Sequence, residues 1–279
     1  MSSAQTIDRY AVMGNPIAHS KSPVIHQLFA EQTQQQLSYE AILVDADHFN
    51  QAVTDFAASG GRGLNITVPF KQDAWQLATL RSERAERAGA VNTLSWINAQ
   101  WQGDNTDGVG LLRDLTQNNN IDIKDKRLLV LGAGGAVRGV LAPLLAEQPE
   151  SIIIANRTVT KAETLTELFS DSGNVQASSY EDLSGSFDLV INGTAASLQG
   201  GLPPVPEHCI ALATDCYDMM YAAEPTPFMS WATQLGANKC MDGLGMLVEQ
   251  AAESFFIWRQ VRPDTQPVIN AVRDIILSV

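Results

Sequence analysis

Two ionisable residues in the first half of the chain have the type and placement for proton transfer. Lys71 closes the run Asn65-Ile66-Thr67-Val68-Pro69-Phe70-Lys71, and Asp107 stands in Gly103-Asp104-Asn105-Thr106-Asp107-Gly108. A lysine works as a general acid or base once partial desolvation lowers its pKa, and a nearby carboxylate pushes that pKa the other way. Taken singly, a lysine or a helix-opening aspartate is more often structural. Ser20 and Ser22, two apart in Gly14-Asn15-Pro16-Ile17-Ala18-His19-Ser20-Lys21-Ser22-Pro23, suit a carboxylate beside a helix start. The competing reading for Ser22 is a plain helix cap.

The second half carries a different chemistry. Gly132-Ala133-Gly134-Gly135-Ala136 joins an apolar run, Arg127 to Leu131, to a helical pattern, Val137 to Glu147. A glycine turn between strand and helix lets backbone N–H groups reach a diphosphate. Its third fingerprint position is Val137 rather than glycine, which predicts looser helix–strand approach there. A second apolar run, Ser151 to Ala155, ends in Asn156-Arg157-Thr158, where a site for NAD would carry an acid. An arginine suits a ribose 2′-phosphate, and Lys161 is a candidate second cation or a solvated helix face. The cofactor expected from these residues is NADP.

The elements that must hold these groups follow the hydrophobic pattern. Strands are expected at Tyr10 to Gly14, Tyr39 to Val44 and Gly63 to Val68, with helices from Pro23 to Gln35 and Asp47 to Ser59. Ser22 is the expected N-cap, with Pro23 at the first helical position. An interrupted helix runs from Phe70 to Ala88, and Asn92 to Trp101 forms two short strands around Asn98-Ala99. Asp107 to Gln117 is a helix, followed by a polar turn, Asn118 to Asn120. Further strands are expected at Arg127 to Leu131, Ser151 to Ala155, Phe187 to Asn192 and Ile210 to Asp215, a loop at Leu202 to Pro206, and helices at Val248 to Trp258 and Val268 to Leu277. The β-α-β order predicts an α/β protein of two open, largely parallel domains, the second of Rossmann type. The motifs lie at the C-terminal ends of strands, where such sheets bind ligands.

Composition sets outer bounds. A net charge of −13 leaves no general attraction for nucleic acid or anionic membrane. Cys209, Cys216 and Cys240 form no C-x-x-C pair and read as free thiols of a reducing cytoplasm. His19, His26, His48 and His208 show no zinc spacing, so no metal is expected. Met1 to Arg9 lacks a secretory apolar segment, and no apolar run approaches the roughly twenty residues of a membrane span.

Together, Gly14 to Pro23, Asn65 to Lys71, Gly89 to Thr93, Gly103 to Gly108, Gly132 to Ala136, Asn156 to Thr158 and Asp242-Gly243-Leu244-Gly245-Met246 resemble the shikimate dehydrogenase family from Tyr10 to about Leu277. The resemblance implies an NADP-dependent enzyme of aromatic amino-acid biosynthesis interconverting 3-dehydroshikimate and shikimate. It implies that Lys71 and Asp107 are the catalytic pair and that Ser20 and Ser22 hold the substrate carboxylate, assisted by Tyr221. Thr67, Asn92, Asp107 and Gln250 would hold the ring hydroxyls. Gly132, Ala133, Gly134, Gly135 and Ala136 would carry the diphosphate, and Asn156, Arg157, Thr158 and Lys161 the adenosine phosphate. Met219 and Gly243 would line the nicotinamide, with Glu83 on the cofactor side.

The expected division is residues 1–106 plus 244–279 as the substrate and catalytic domain, and residues 107–243 as the NADP domain. The partners expected are a small-molecule substrate and, for the oligomer, a monomer or homodimer. Ala195 and Ser197, in Asn192-Gly193-Thr194-Ala195-Ala196-Ser197, depart from the residues usual at those cofactor-loop positions. Two rivals remain at this point: a quinate-oxidising relative using NAD, and an NADP-binding regulator, which would need neither Lys71 nor Asp107.

Overall fold

The computed structural model describes residues 7–194, 196 and 201–278. The chain divides into two compact units, one of the residues through Thr106 with Val248–Val272, the other of Asp107–Leu247 with the residues from Arg273 onward.

The first unit is built on a six-stranded sheet. In chain order its elements are β1 (Asp8–Gly14), α1 (Ser22–Thr33), β2 (Leu37–Leu43), α2 (Phe49–Ala58), β3 (Gly61–Ile66), α3 (Lys71–Leu77), β4 (Leu80–Arg81), α4 (Glu83–Ala88), β5 (Thr93–Ile97) and β6 (Gln100–Asp104). The strand order is β2-β1-β3-β5-β6-β4. β1 runs parallel to β2 and β3, whereas β5 is antiparallel to both β3 and β6. The β5–β6 hairpin turns at Asn98 and Ala99, with φ of 51° and 59°, as a tight two-residue hairpin turn requires. It brings both Asn92 and Asn105 to the end of the sheet where β1 and β3 finish, because Thr93 pairs with both Asn65 and Asp104.

One face of this sheet is covered by α2, whose Phe49, Val53 and Phe56 recur at helical spacing and are buried. They pack with Leu64, Phe70 and Leu94. The expected helix from Phe70 to Ala88 is two helices. Ala78 is extended, β4 pairs with β6, and Ser82 Oγ accepts the Ala85 N–H at 3.2 Å to start α4. Ser22 is not the N-cap of α1 but its first residue. Lys21 occupies the cap without a side-chain bond, and Ser20 Oγ accepts the Ser22 N–H at 3.3 Å.

The second unit opens with α5 (Asp107–Arg113), which runs into a π-helical turn, Asp114–Asn118. Its sheet strands are β7 (Arg127–Leu131), β8 (Ser151–Ala155), β9 (Val175–Ser178), β10 (Leu189–Asn192), β11 (Asp215–Asp218) and β12 (Lys239–Asp242). The helices are α6 (Gly135–Ala146), α7 (Val159–Phe169) and α8 (Pro227–Gln234). The order β12-β11-β10-β7-β8-β9 is parallel throughout. It is the doubly wound Rossmann order, with its switch point between β7 and β10. The strand expected at Ile210 to Asp215 begins only at Asp215. Thr214 Oγ1 accepts the Ala211 N–H and donates to the Phe187 carbonyl, which holds the preceding apolar stretch in a turn. Leu212 of that stretch is exposed. After β12 come α9 (Leu244–Arg259) and α10 (Gln266–Leu277), each contributing residues to both units.

Candidate functional site

In the first unit, the polar residues gather where β1 and β3 end and β5 begins. The loop after β1 is tied to the loop after β3 by Asn15 N–H to the Val68 carbonyl at 2.9 Å and by Thr67 N–H to the Met13 carbonyl at 3.0 Å. A side chain at Gly14 would collide with Thr67, so glycine there permits the approach. These bonds place Ser20, Ser22, Thr67 and Lys71 on one edge. Lys71 opens α3 half-buried, and its carbonyl accepts the Val91 N–H at 2.8 Å.

Asn92, almost fully buried, is the hub of this edge. Its Oδ1 accepts from the Thr106 N–H at 2.9 Å and the Thr93 hydroxyl at 2.9 Å, while its Nδ2 donates to Thr106 Oγ1 at 2.8 Å and to Gln250 Oε1 at 3.4 Å. Behind it, Asn65 Nδ2 donates to Thr93 Oγ1 and Ser254 Oγ, and Tyr39 donates to Asn65 Oδ1 at 2.7 Å. A buried amide needs all these partners, because an unmatched one costs on the order of 1–3 kcal/mol. The Arg84 guanidinium fixes the frame. It bridges Asp104 at the end of β6 to Glu253 on α9, at 2.5 and 3.1 Å, and Arg262 closes on Glu253. Thr106 and Ser254 carry no role in the sequence reading, yet both belong to this network. Ser254 lies four residues after Gln250 on one helix, a spacing readable in advance.

In the second unit, the turn from β7 to α6 has the form the glycines predict. Gly132 takes φ +101°, and Gly134 and Gly135 open onto space in which an added Cβ meets nothing. Gly134 is the N-cap of α6 without a side-chain bond, so the helix start is lined by backbone alone. Such a cradle fits a diphosphate. Val137 does not loosen the packing as expected. It is fully buried, and Gly193 on the facing loop supplies the room its methyl groups occupy.

Beyond β8, Asn156 Nδ2 donates to the Thr158 carbonyl at 2.8 Å, and Arg157, Thr158 and Lys161 are exposed. Asn156 and Arg157 line a cavity of about 330 Å³ with Tyr180, Thr194, Leu202, Pro203 and Pro204. Burial pushes the Tyr180 phenol upward, and the Arg157 charge partly opposes it. Tyr180 and the Leu202–Pro204 wall were not foreseen as site residues. They come from loops separated in sequence, and only the fold collects them.

At the other end of this sheet edge, Met219 N–H bonds the Asn192 carbonyl at 2.9 Å and Gly243 N–H the Met220 carbonyl at 3.0 Å. A Cβ at Gly243 would strike the Met219 backbone. The Asp218 carboxylate, fully buried, shapes this loop by accepting from Asn192 Nδ2, the Met220 N–H and the Thr226 hydroxyl. Tyr221 follows, half-buried, its phenol raised by burial and by the Asp242 charge. Asp107 is a buried residue at the start of α5. Glu83 is exposed at the start of α4, in the first unit, whereas the other cofactor-side candidates fall in the second. Ala195 and Ser197 lie outside the described residues. Among the described residues no group of three His, Cys, Asp or Glu side chains could hold a metal ion, and no helix is long and apolar enough to cross a membrane.

Three family models match the chain: the shikimate dehydrogenase substrate binding domain over residues 12–94, shikimate / quinate 5-dehydrogenase over residues 114–199, and the shikimate 5'-dehydrogenase C-terminal domain over residues 243–273. The shikimate dehydrogenase (NADP(+)) of Alkalilimnicola ehrlichii is 59% identical over 266 residues, covering 95% of this chain and 98% of that protein. The Ael1 enzyme of Pseudomonas putida superposes with a TM-score of 0.91 at 48% identity, covering 95% of this chain and 97% of the other. The Thermus thermophilus shikimate 5-dehydrogenase, solved with NADP(H) and shikimate, superposes with a TM-score of 0.85 at 31% identity, covering 96% and 99%.

Proposed function

The chain belongs to the shikimate dehydrogenase family, and from that premise we propose that it interconverts 3-dehydroshikimate and shikimate with NADP(H). The observation that carries this reading is the network of buried Asn92 and Thr106 with half-buried Gln250, on the same edge as Lys71. A polyhydroxylated ring needs several fixed donors and acceptors at once, and a site built for hydroxyls rejects analogues lacking them. Asn92, Gln250 and Thr67 hold ring hydroxyls. Ser20 and Ser22 hold the carboxylate, with Tyr221 assisting.

The bound nicotinamide supplies the hydride acceptor or donor. When the alcohol is oxidised, its C–H bond delivers the hydride and its O–H proton goes to Lys71 Nζ, with Asp107 as acid–base partner; reduction runs the same transfers backwards. Gly132 to Ala136 hold the diphosphate, Arg157 with Asn156, Thr158 and Lys161 the 2′-phosphate, and Met219 with Gly243 the nicotinamide; Glu83 stands on the cofactor side. The unit of residues through Thr106 with Val248–Val272 serves as the substrate domain, and the unit of Asp107–Leu247 with the residues from Arg273 onward as the NADP domain, so the expected assignment of all of 244–279 to the substrate domain holds only for its middle. Free thiols and a nucleotide cofactor support a cytoplasmic enzyme acting as a monomer or homodimer. The test is NADP reduction followed by absorbance with shikimate, with quinate and without substrate, repeated with NAD. Turnover with shikimate and NADP well above the other combinations supports the reading, and a preference for quinate and NAD overturns it.

A further inference from the structure

Cys216 and Cys240 are directly opposed in the register of β11 and β12. Adjacent parallel strands lie about 4.8 Å apart, inside the roughly 4.4–6.8 Å Cα separation that a disulfide spans. Register partners in a parallel pair also point to the same side of the sheet. The two thiols are thus side-by-side neighbours that influence each other's ionisation, with Thr233 on α8 beside Cys240. β12 is an edge strand, and Cys240 is half-buried whereas Cys216 is fully buried. We propose that Cys216 and Cys240 are a redox-active pair, an oxidation site that a peroxide converts reversibly to an intramolecular disulfide.

The roles of the two sulfurs differ. Cys240 is the half-buried sulfur that a peroxide can reach, and its neighbour Cys216 lowers its thiol, while Cys216 is raised by that same neighbour and by burial. The thiolate is the nucleophile, so Cys240 reacts first. Its sulfur attacks one peroxide oxygen, the O–O bond breaks, and the departing hydroxide takes a proton to leave as water. The resulting sulfenic sulfur is attacked by Cys216; the S–O bond breaks, and the oxygen leaves as a second water carrying the Cys216 proton. Two thiols lose two electrons, and the peroxide is reduced to two waters. Parallel register partners sit somewhat wide for the Cβ separation a relaxed disulfide prefers, about 3.8 Å, and strained bridges reduce readily.

The position gives the bridge a consequence. β11 runs into Met219 and β12 into Gly243, two residues whose backbones touch. Drawing the strands together perturbs that contact and weakens NADP binding, a consequence that rests on the cofactor reading above; the bridge itself does not.

The experiment treats the full chain with hydrogen peroxide and follows thiol count, peptide mass and NADP affinity. The expected result is loss of two of the three titratable thiols and a cross-linked peptide joining residues 216 and 240. NADP binding weakens several-fold, and dithiothreitol restores both thiols and binding. C209S behaves as wild type, because Cys209 is buried elsewhere with its thiol raised to about 11. C240S forms no bridge and keeps its NADP affinity. Retention of all three thiols, a bridge to Cys209, or irreversible oxidation of Cys240 alone overturns the site. A bridge at 216–240 that leaves NADP affinity unchanged establishes the site and overturns its coupling to the cofactor. Mass mapping of the wild type decides the matter even where a variant at buried Cys216 fails to fold.

Discussion

The imidazole of His26 lies flat on the phenol of Tyr39, ring centroids 4.1 Å apart and planes 6° from parallel. Phe29 from the same helix and Phe255 and Trp258 from α9 close around it. Neither ring nitrogen has a well-formed hydrogen bond among the described residues. Burial lowers its pKa from 6.5 to about 3, against a small opposing influence of Asn65. The unfolded chain therefore takes up a proton below pH 6.5 that the folded chain refuses until about pH 3. Stability from this group is complete above pH 6.5 and falls as pH drops through that window, by roughly 2–3 kcal/mol between pH 6.5 and 4.5. Denaturant unfolding at pH 7.5 and 4.5 should show this loss in the wild type and a smaller one in His26→Phe. Equal pH dependence in both proteins would show that His26 titrates normally.

Lys71→Ala should cut kcat by about 10²- to 10⁴-fold, the scale of a lost acid–base group, with a small change in KM for shikimate. Steady-state kinetics with both substrates varied would check it. Near-normal kcat removes Lys71 from the proton transfer.

Ser20→Ala and Ser22→Ala should each weaken shikimate by about 10- to 150-fold, since a hydrogen bond to a charged group contributes roughly 1.5–3 kcal/mol. NADP affinity should stay nearly constant. Ser22→Ala should also lower the melting temperature more than most surface changes, because Ser22 is buried in the first turn of α1. Equal loss of both ligands in calorimetric titrations would assign the two serines to folding alone.

Arg157→Ala should raise KM for NADP by about 10- to 150-fold, roughly 1.5–3 kcal/mol, and leave KM for NAD nearly unchanged. The guanidinium can pair with a 2′-phosphate that NAD lacks. The double variant with Lys161→Ala should lose more. Parallel losses for both dinucleotides would overturn the phosphate assignment.

Much of the fold was legible because its signals are local. Glycines followed by a helical pattern gave the β7–α6 turn, and the Asn98-Ala99 pair gave the hairpin. The short edge strands β9 and β12 escaped, since four residues such as Lys239-Cys240-Met241-Asp242 carry too little alternation to stand apart from a loop. α8 carries a local start signal, since Thr226 caps the Met229 N–H and Pro227 follows it. The strand expected at Ile210 failed because apolar character alone does not distinguish a strand from a turn braced by Thr214. The site splits the same way. Motif residues were nameable in sequence, and Ser254 is readable from its helical spacing to Gln250, but the bridge that Arg84 makes between Asp104 and Glu253 depends on which elements are neighbours.

The reversal at Asn98 and Ala99 offers a practical handle. The hairpin presents its open end to the residues of the first unit's site and its tip to solvent at the opposite end of the strands. Loop tips of this kind tolerate added chain. A fluorophore or affinity tag spliced between Asn98 and Ala99 would ride on the enzyme without crowding Asn92 or Lys71. That makes the tip the place to attach a reporter for immobilisation or single-molecule work.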